Sequence, residues 1–364
     1  MTTPTVAPPP TPRAPAPARA GARGGLGRLL RLILVERVAL LTVLLVVVVT
    51  WFWILGDNGY LIARYDSDYL AAALDTLVPL SILALAELIV MVSGRGGIDL
   101  SVGSIVSLAG MCFGFMVGHW GWPVAVAVPA TILIGGLLGA VNGTLVAYLG
   151  FPALIATLAT FYAFGSLALV SNQNAPISTK PVQDLHALTS AVDLSPQIPS
   201  FPLQVITFLV PVVLVVWLVL NRTTYGRKLY AIGTNDVAAR FANINVRQTR
   251  FRAYVASGLL AGVAAVVIVA QFASARPDAG SVGNGMALPA ITIAVLGGVV
   301  VAGGIGRVAG VVIAGLLVVW LNAGILLFFE GSDGSQFQLF ALGALLVSSA
   351  LLNAWTLRRG RSAG

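Results

Sequence analysis

Long apolar runs dominate the chain, and short polar stretches punctuate them. A helix that crosses a bilayer needs roughly 20 mostly apolar residues. Ten runs meet or approach that length: 33–55, 69–93, 98–118, 122–148, 153–171, 204–220, 253–274, 286–301, 308–328 and 337–355. Two of them are irregular. The run at 286–301 is short and rich in glycine, and the run at 98–118 opens beside a Gly-Gly pair and an aspartate. The pattern predicts an all-α polytopic membrane protein of about ten transmembrane helices, with a broken or re-entrant helix near 96–103.

Composition supports that reading. Hydrophobic residues make up 58% of the 364 residues and charged residues only 9%, too few to cover a water-facing surface. This excludes a soluble enzyme or a disordered regulator as the reading of the whole chain. The net charge of +8 would suit nucleic acid, but the basic residues fall between apolar runs, as topology signals do. Counted in alternate connections, 18 of the 21 Lys and Arg lie on one side and Arg64, Lys180 and Arg276 on the other. The positive-inside rule then places both termini in the cytoplasm. Residues 1–27 are rich in Pro, Ala and Arg and predict a disordered cytoplasmic tail. Residues 28–357 form the membrane domain and 358–364 a basic tail. Residues 172–203 form the longest outer connection, and 221–252 the longest inner one. The single cysteine, Cys112, permits no internal disulfide and no cysteine metal cage.

Two stretches depart from generic membrane sequence. The first contains Gly96, Gly97, Asp99, Ser101 and Gly103. Glycines allow close backbone approach, and Asp99 and Ser101 are both good helix caps, so the chain is expected to break and restart there. Asp99 is costly in lipid and should face the bundle interior. The second stretch lies in the inner connection. Thr234, Asn235 or Asp236 can cap a short helix beginning near Val237, and Asn243 can stop it in a left-handed conformation. Val237, Phe241 and Ile244 then share one apolar face, while Arg240 and Arg247 lie elsewhere. That face suits either a partner's groove or the lipid interface.

Polar residues inside spans are the remaining candidates. Asn142, Thr157, Gln271 and Asn322 could contact cargo or hydrogen-bond a neighbouring helix. Glu87 sits mid-span, where an acid suggests function; bonding to a neighbouring helix is the alternative. Gly135, Gly139 and Gly143, and Gly258 with Gly262, form small-residue faces that fit tight packing or gating equally well.

Four strings in order carry a family resemblance over roughly 70–355. They are Gly-Gly-Ile-Asp-Leu-Ser-Val-Gly at 96–103, Phe-Pro-Ala-Leu-Ile-Ala-Thr-Leu at 151–158, Gly226-Arg227 through Ala238-Ala239-Arg240, and Ala290-Ile291 to Gly303-Gly304-Ile305-Gly306. The chain resembles the permease subunit of bacterial ABC sugar importers, in the ribose/xylose/arabinose branch. The resemblance implies a multi-pass protein of the bacterial inner membrane that pairs with a second permease copy or a sister permease. It implies an ATPase with tandem nucleotide-binding domains, which would hold ATP and Mg, and an extracytoplasmic binding protein that delivers a small sugar-like cargo. Gly226, Arg227, Gly233, Asn235, Ala238, Ala239, Arg240, Asn243 and Arg247 would make the ATPase-coupling segment. The chain has no P-loop string and no metal-site spacing, so no cofactor of its own is expected. Three departures stand out. Ala287-Leu288-Pro289 replaces the usual Glu-Leu-Asp, Asn243 stands where glycine is usual, and Ser93-Gly94-Arg95 lengthens the approach to Gly96. The rival reading is an ion-coupled secondary transporter using Glu87 and Asp99, which the absence of a convincing internal repeat weakens.

Overall fold

The computed structural model describes residues 37–192, 200–280, 285–329 and 331–361, with the side chains of 350 and 352–361 outside the description. The predicted tail at 1–27 lies outside the described residues. Thirteen helices run through this part of the chain. They are α1 (Arg37–Asp57), α2 (Ser67–Val92), α3 (Val102–Gly114), α4 (Val124–Gly143) and α5 (Ala153–Ser171). Next come the short α6 (Lys180–Gln183), then α7 (Val210–Arg222), α8 (Thr224–Thr234) and α9 (Asp236–Phe241). The last four are α10 (Val246–Gln271), α11 (Ala287–Leu296), α12 (Val308–Phe328) and α13 (Ser332–Arg361). Five-residue π-turns extend α3 to His119 and α4 to Tyr148, and a third leads into α7. A two-residue hairpin ladder, β1 (Ala191–Val192) with β2 (Phe201–Pro202), is the one sheet among the described residues.

Eight helices of the described residues are long and apolar enough to cross a membrane. The protein is an all-α polytopic membrane protein, as predicted. The predicted span at 286–301 is real only as a half-length helix, α11, followed by a glycine-rich turn. The predicted span at 253–274 begins earlier, at Val246, because the Asn245 side chain accepts a hydrogen bond from Gln248 N and caps two further turns that carry Arg247, Arg250 and Arg252. The last predicted span, 337–355, lies within the longer α13, which also takes in residues 358–361 of the predicted basic tail.

The helices are apolar on nearly every face, so burial is decided by neighbours rather than by amphipathicity. In the most apolar window of α2, 89% of residues are buried, against 11% in α1, which makes α2 a central strut and α1 a peripheral, lipid-facing helix. Around α2 pack α10, α11 and α12, and α10 also lies along α3 and α4. Lipid tails are as apolar as the helices, so close packing must hold them together. The α4–α10 crossing shows how. Gly135 and Gly139 meet Gly258 backbone to backbone, and Gly143 meets Phe251, so both small-residue faces read from the sequence press on each other. A Cβ on Gly139 would sit 2.9 Å from the Gly258 Cα, a separation real Cβ atoms essentially never show.

Segments expected on one side do converge. Residues 93–97, α8, α9 and the turn 297–306 meet at one end of the bundle, the end read from the sequence as inner, and Ile177 pairs with Ala275 among the segments read as outer. Crossing glycines set up a test. Gly139→Leu should cost about 1–3 kcal/mol by overpacking. Gly165→Ala should be neutral or stabilising, since its added Cβ makes only ordinary contacts, the nearest at 3.6 Å. Thermal unfolding of the detergent-solubilised chain reads both.

Candidate functional site

The break after α2 is built from Ser93 to Ser101. Gly94, Arg95 and Gly96 all adopt left-handed backbone, with Arg95 at φ 59°. A left-handed arginine is strained, so its surroundings must hold it there. The returning chain meets α2 again one turn and a half above its end, where the Asp99 amide donates to Glu87 Oε2 at 3.3 Å.

Backbone that leaves the helix at membrane depth must find partners inside the protein. Glu87 takes the Asp99 amide, Asp99 the Ser101 amide, Thr157 the Ile98 carbonyl and Arg250 the Ser93 carbonyl, and Asp99 is the centre of the side-chain bonds. Its Oδ1 accepts from the Ser101 amide at 3.1 Å and from the Ser101 hydroxyl at 2.6 Å, and its Oδ2 accepts from Ser257 of α10 at 3.0 Å. Ser101 Oγ in turn accepts from Asn142 Nδ2 of α4 at 2.6 Å, and Asn142 Oδ1 accepts from Thr160 of α5 at 2.6 Å. Thr157 of α5 donates to the Ile98 carbonyl at 3.2 Å. One directed network therefore ties α4, α5 and α10 to the break. Glu87, Asp99, Ser101, Asn142, Thr157 and Ser257 are all 0% exposed. Ser101 precedes α3 but makes no side-chain cap bond; its hydroxyl serves Asp99 instead. Two buried oxygens here, Glu87 Oε1 and the Tyr254 hydroxyl, have no hydrogen-bond partner among the described residues.

The candidate pathway residues separate into groups. Asn142 and Thr157 belong to the buried network, where their polarity is spent between helices. Gln271 ends α10 half-buried, away from that network. Asn322 stands apart in a cleft of about 350 Å³ between α2, α12 and α13. Gly103, the last residue of the break motif, touches the Gly280 backbone, and Gly280 N donates to Ser107 Oγ at 2.9 Å. The outer loop after α10 thus reaches the start of α3.

The inner connection holds two helices rather than the single short one expected. Thr223 caps α8 by accepting from Gly226 N at 3.2 Å, and Leu229 and Ile232 bury its inner face. Gly226 is pressed against the Leu220 carbonyl, which leaves no room for a side chain, and Arg227 is exposed. Asn235 caps α9 through Val237 N at 2.9 Å and Ala238 N at 3.0 Å. Asn243 stops the segment at φ 58°, the left-handed state for which glycine is the commoner choice. On α9 Ala239 is buried, so it seats the helix rather than meeting a partner. Val237 at 61% and Phe241 at 89% exposure point outward, with Arg240 and Arg247 exposed beside them.

Alpha-nine is fastened to the break by charge. Asp236 pairs with Arg250 of α10 at 2.8 Å and with Arg95 of the break at 2.8 Å. The Arg250 side chain is only 4% exposed and also donates to the Ser93 carbonyl at 3.0 Å. Glycines complete the joint. Gly233 lies against the Val92 carbonyl and Gly304, and Gly303 against Gly94. Tyr230 donates to the Gly306 carbonyl at 2.8 Å; burial pushes its phenol above the usual value, against the opposing pull of Arg307, so it stays a donor at neutral pH. Ser93, Gly94 and Arg95 thus tie the break to three neighbours, Ser93 to Arg250 of α10, Gly94 to Gly233 of α8 and Arg95 to Asp236 of α9.

The family model described as branched-chain amino acid transport system, permease component, matches residues 69–350. The chain belongs to this family of ABC permeases. Curated relatives narrow the branch. The autoinducer 2 import system permease protein of Photorhabdus laumondii is 34% identical over 284 residues, which cover 78% of this chain and 82% of the relative. That of Photorhabdus temperata is 33% identical over 326 residues, 89% of this chain and 93% of the relative. That of Yersinia enterocolitica is 33% identical over 284 residues, with 78% and 82% covered. No solved structure matches the chain. These relatives place the permease in the sugar-import branch that the four strings indicate. The family description names amino acids and the relatives' names a different solute, so family membership fixes the permease role and leaves the cargo to the site. Among the described residues no cluster of His, Cys, Asp and Glu is placed to hold a metal ion.

Removing one partner from a buried pair strands the other. Asp236→Ala should destabilise the solubilised protein by about 3–5 kcal/mol, because Arg250 is left buried and unpaired. The double variant Asp236→Ala/Arg250→Met should recover part of that loss, read as a melting-temperature series. In the upper network, Ser257→Ala should cost about 1 kcal/mol, and Asp99→Leu several times more because it strips the acceptor from the Ser101 amide and hydroxyl, the Ser257 hydroxyl and the Asn142 amide.

Proposed function

We propose that this permease forms half of the translocation pathway of an ATP-driven importer in a bacterial inner membrane, carrying autoinducer 2 or a related small sugar-like solute handed over by an extracytoplasmic binding protein. A second permease copy or a sister permease forms the other half, and a separate ATPase with tandem nucleotide-binding domains supplies the stroke.

The observation that carries this reading is the seat of α9. An exposed aromatic side chain on a capped helix, flanked by Arg240 and Arg247, faces away from the bundle at its inner end. Such a face fits a groove in a partner. The same helix buries Ala239 behind it and is joined to the break after α2 by the Asp236–Arg95 pair. A push on α9 therefore reaches Ser93–Gly97 through charged and backbone contacts. ATP-driven closure of the partner would bias the permease between inward- and outward-open states, by the difference in the partner's affinity for the two. The ion-coupled rival would use Glu87 and Asp99; both Asp99 oxygens are engaged by Ser101 and Ser257, whereas Glu87 Oε1 has no partner among the described residues, so the dependence of uptake on ATP or on an ion gradient separates the two readings.

Gentle purification from native membranes should bring down an ATPase in about one tandem copy per two permeases. Phe241→Asp or Arg240→Glu should abolish ATP-driven uptake, and weaken ATPase capture about tenfold or more, while the melting temperature stays within about 2 °C. Asn235→Ala should give a milder loss, since it removes a cap worth about 1 kcal/mol. Uptake that persists without any ATPase and follows the proton gradient would overturn the proposal.

A further inference from the structure

We propose that the cleft between the outer halves of α2, α12 and α13 is a binding subsite for a neutral, polyhydroxylated solute, with Thr76, Asn322 and Gln338 as its hydrogen-bonding groups. This rests on the importer reading above. The volume of about 350 Å³ falls at the lower end of the roughly 300–1,000 Å³ of small-molecule sites, as a sugar-sized ligand requires. Leu80, Val319 and Ala323 give it an apolar floor.

Its polar groups are unspent, and this separates it from the buried network. There Asn142 is bonded at both ends. Here the half-buried Asn322 side-chain amide and the exposed Thr76 hydroxyl make no hydrogen bond among the described residues, and both line the cleft. Gln338 donates to the Asn322 carbonyl at 3.0 Å, which orients its amide and leaves Oε1 to accept. Tyr69 donates to the Ala323 carbonyl at 3.1 Å and keeps lone pairs for an incoming donor. Polar groups within a span face protein or a water-filled cavity, because lipid cannot satisfy them.

The set also selects a chemistry. Sugar hydroxyls both donate and accept, and so do the two amides and the threonine hydroxyl together. The described residues that line the cleft carry no charge, so nothing in it neutralises a phosphate, a carboxylate or an ammonium group. The cleft lies near the outer ends of α2 and α12, where Trp320 Nε1 donates to the Leu70 carbonyl at 3.1 Å and Tyr65 donates to the Trp320 carbonyl at 2.9 Å. A solute released at the outer face would meet it early.

The test uses the whole transporter, permease with its co-purified ATPase and binding protein, in proteoliposomes. In a Cys112→Ser background, Thr76→Cys and Asn322→Cys should both react with a membrane-impermeant methanethiosulfonate added from the outer side. Asn322→Leu should lower uptake of whichever solute the parent transports from a panel of pentoses, hexoses and autoinducer 2. The expected loss is about tenfold, the scale of one lost hydrogen bond to ligand, with Asn322→Gln close to the parent. Complex assembly, read by co-purification of the ATPase, should survive both changes. Reaction of the two cysteine variants only with a lipid-soluble maleimide would make the cleft a lipid contact and overturn the proposal. Disulfide cross-linking of two permease copies through the Thr76→Cys substitution would do the same by making it a subunit interface. Failure of any ATPase to co-purify would instead overturn the importer reading, and the labelling pattern is read independently of it.

Discussion

A chain that leaves its helix inside a membrane must bring its own solvent, and Asp99 is that solvent here. With two oxygens it accepts from the Ser101 amide, the Ser101 hydroxyl and the Ser257 hydroxyl. Through Ser101 it reaches Asn142 and Thr160. Four helices are held in register by this arrangement: α3, whose start it fixes, and α4, α5 and α10, which reach into it. An apolar core of similar volume would pack these helices equally well. It could not satisfy the peptide groups of a broken strut, and the break is what gives the inner end of the bundle a loop that α9 can grip.

The two polar centres differ in kind. The upper one is a fully buried hydrogen-bond network around Asp99, with Glu87 beside it, and has no basic partner among its bonds. The lower one is ionic, with Asp236 between Arg95 and Arg250, and it is partly open to water. Arg250 is buried and Asp236 nearly so, while Arg95 reaches solvent, so the pair depends on its charge partners to offset desolvation. The division follows what each must do. The upper network fixes a shape, whereas the lower clamp joins a surface helix to that shape.

The spans were legible because apolar runs of membrane length have few other readings. The break was legible for the same reason in reverse, since Gly-Gly-Ile-Asp has no place in a lipid-facing helix. Alpha-eight was missed because Arg227 and Lys228 make its sequence look like an exposed loop; the signal lay in Tyr225, Leu229 and Ile232 at helical spacing behind a Thr223 cap. The start of α10 was missed for a similar reason, and Asn245 was the overlooked cap. Asn142 and Thr157 were found as odd residues in apolar runs, yet their roles depend on partners 41 and 59 residues away, which no local pattern encodes. Gln338 and Thr76 carried no signal at all, because a single polar residue near a helix end is ordinary until three helices bring it beside another.

The long reach of both polar centres has a consequence for biosynthesis. Ser257 is 158 residues downstream of Asp99, and Arg250 is 157 downstream of Ser93. At roughly 5–20 residues per second, a ribosome needs about 10–30 s to supply them. During that interval α2 and α3 are already made, and the break between them has only the earlier partners on α4 and α5. The nascent chain must therefore wait with part of its polarity exposed, held at the insertion machinery or at the interface, until α10 arrives to close it.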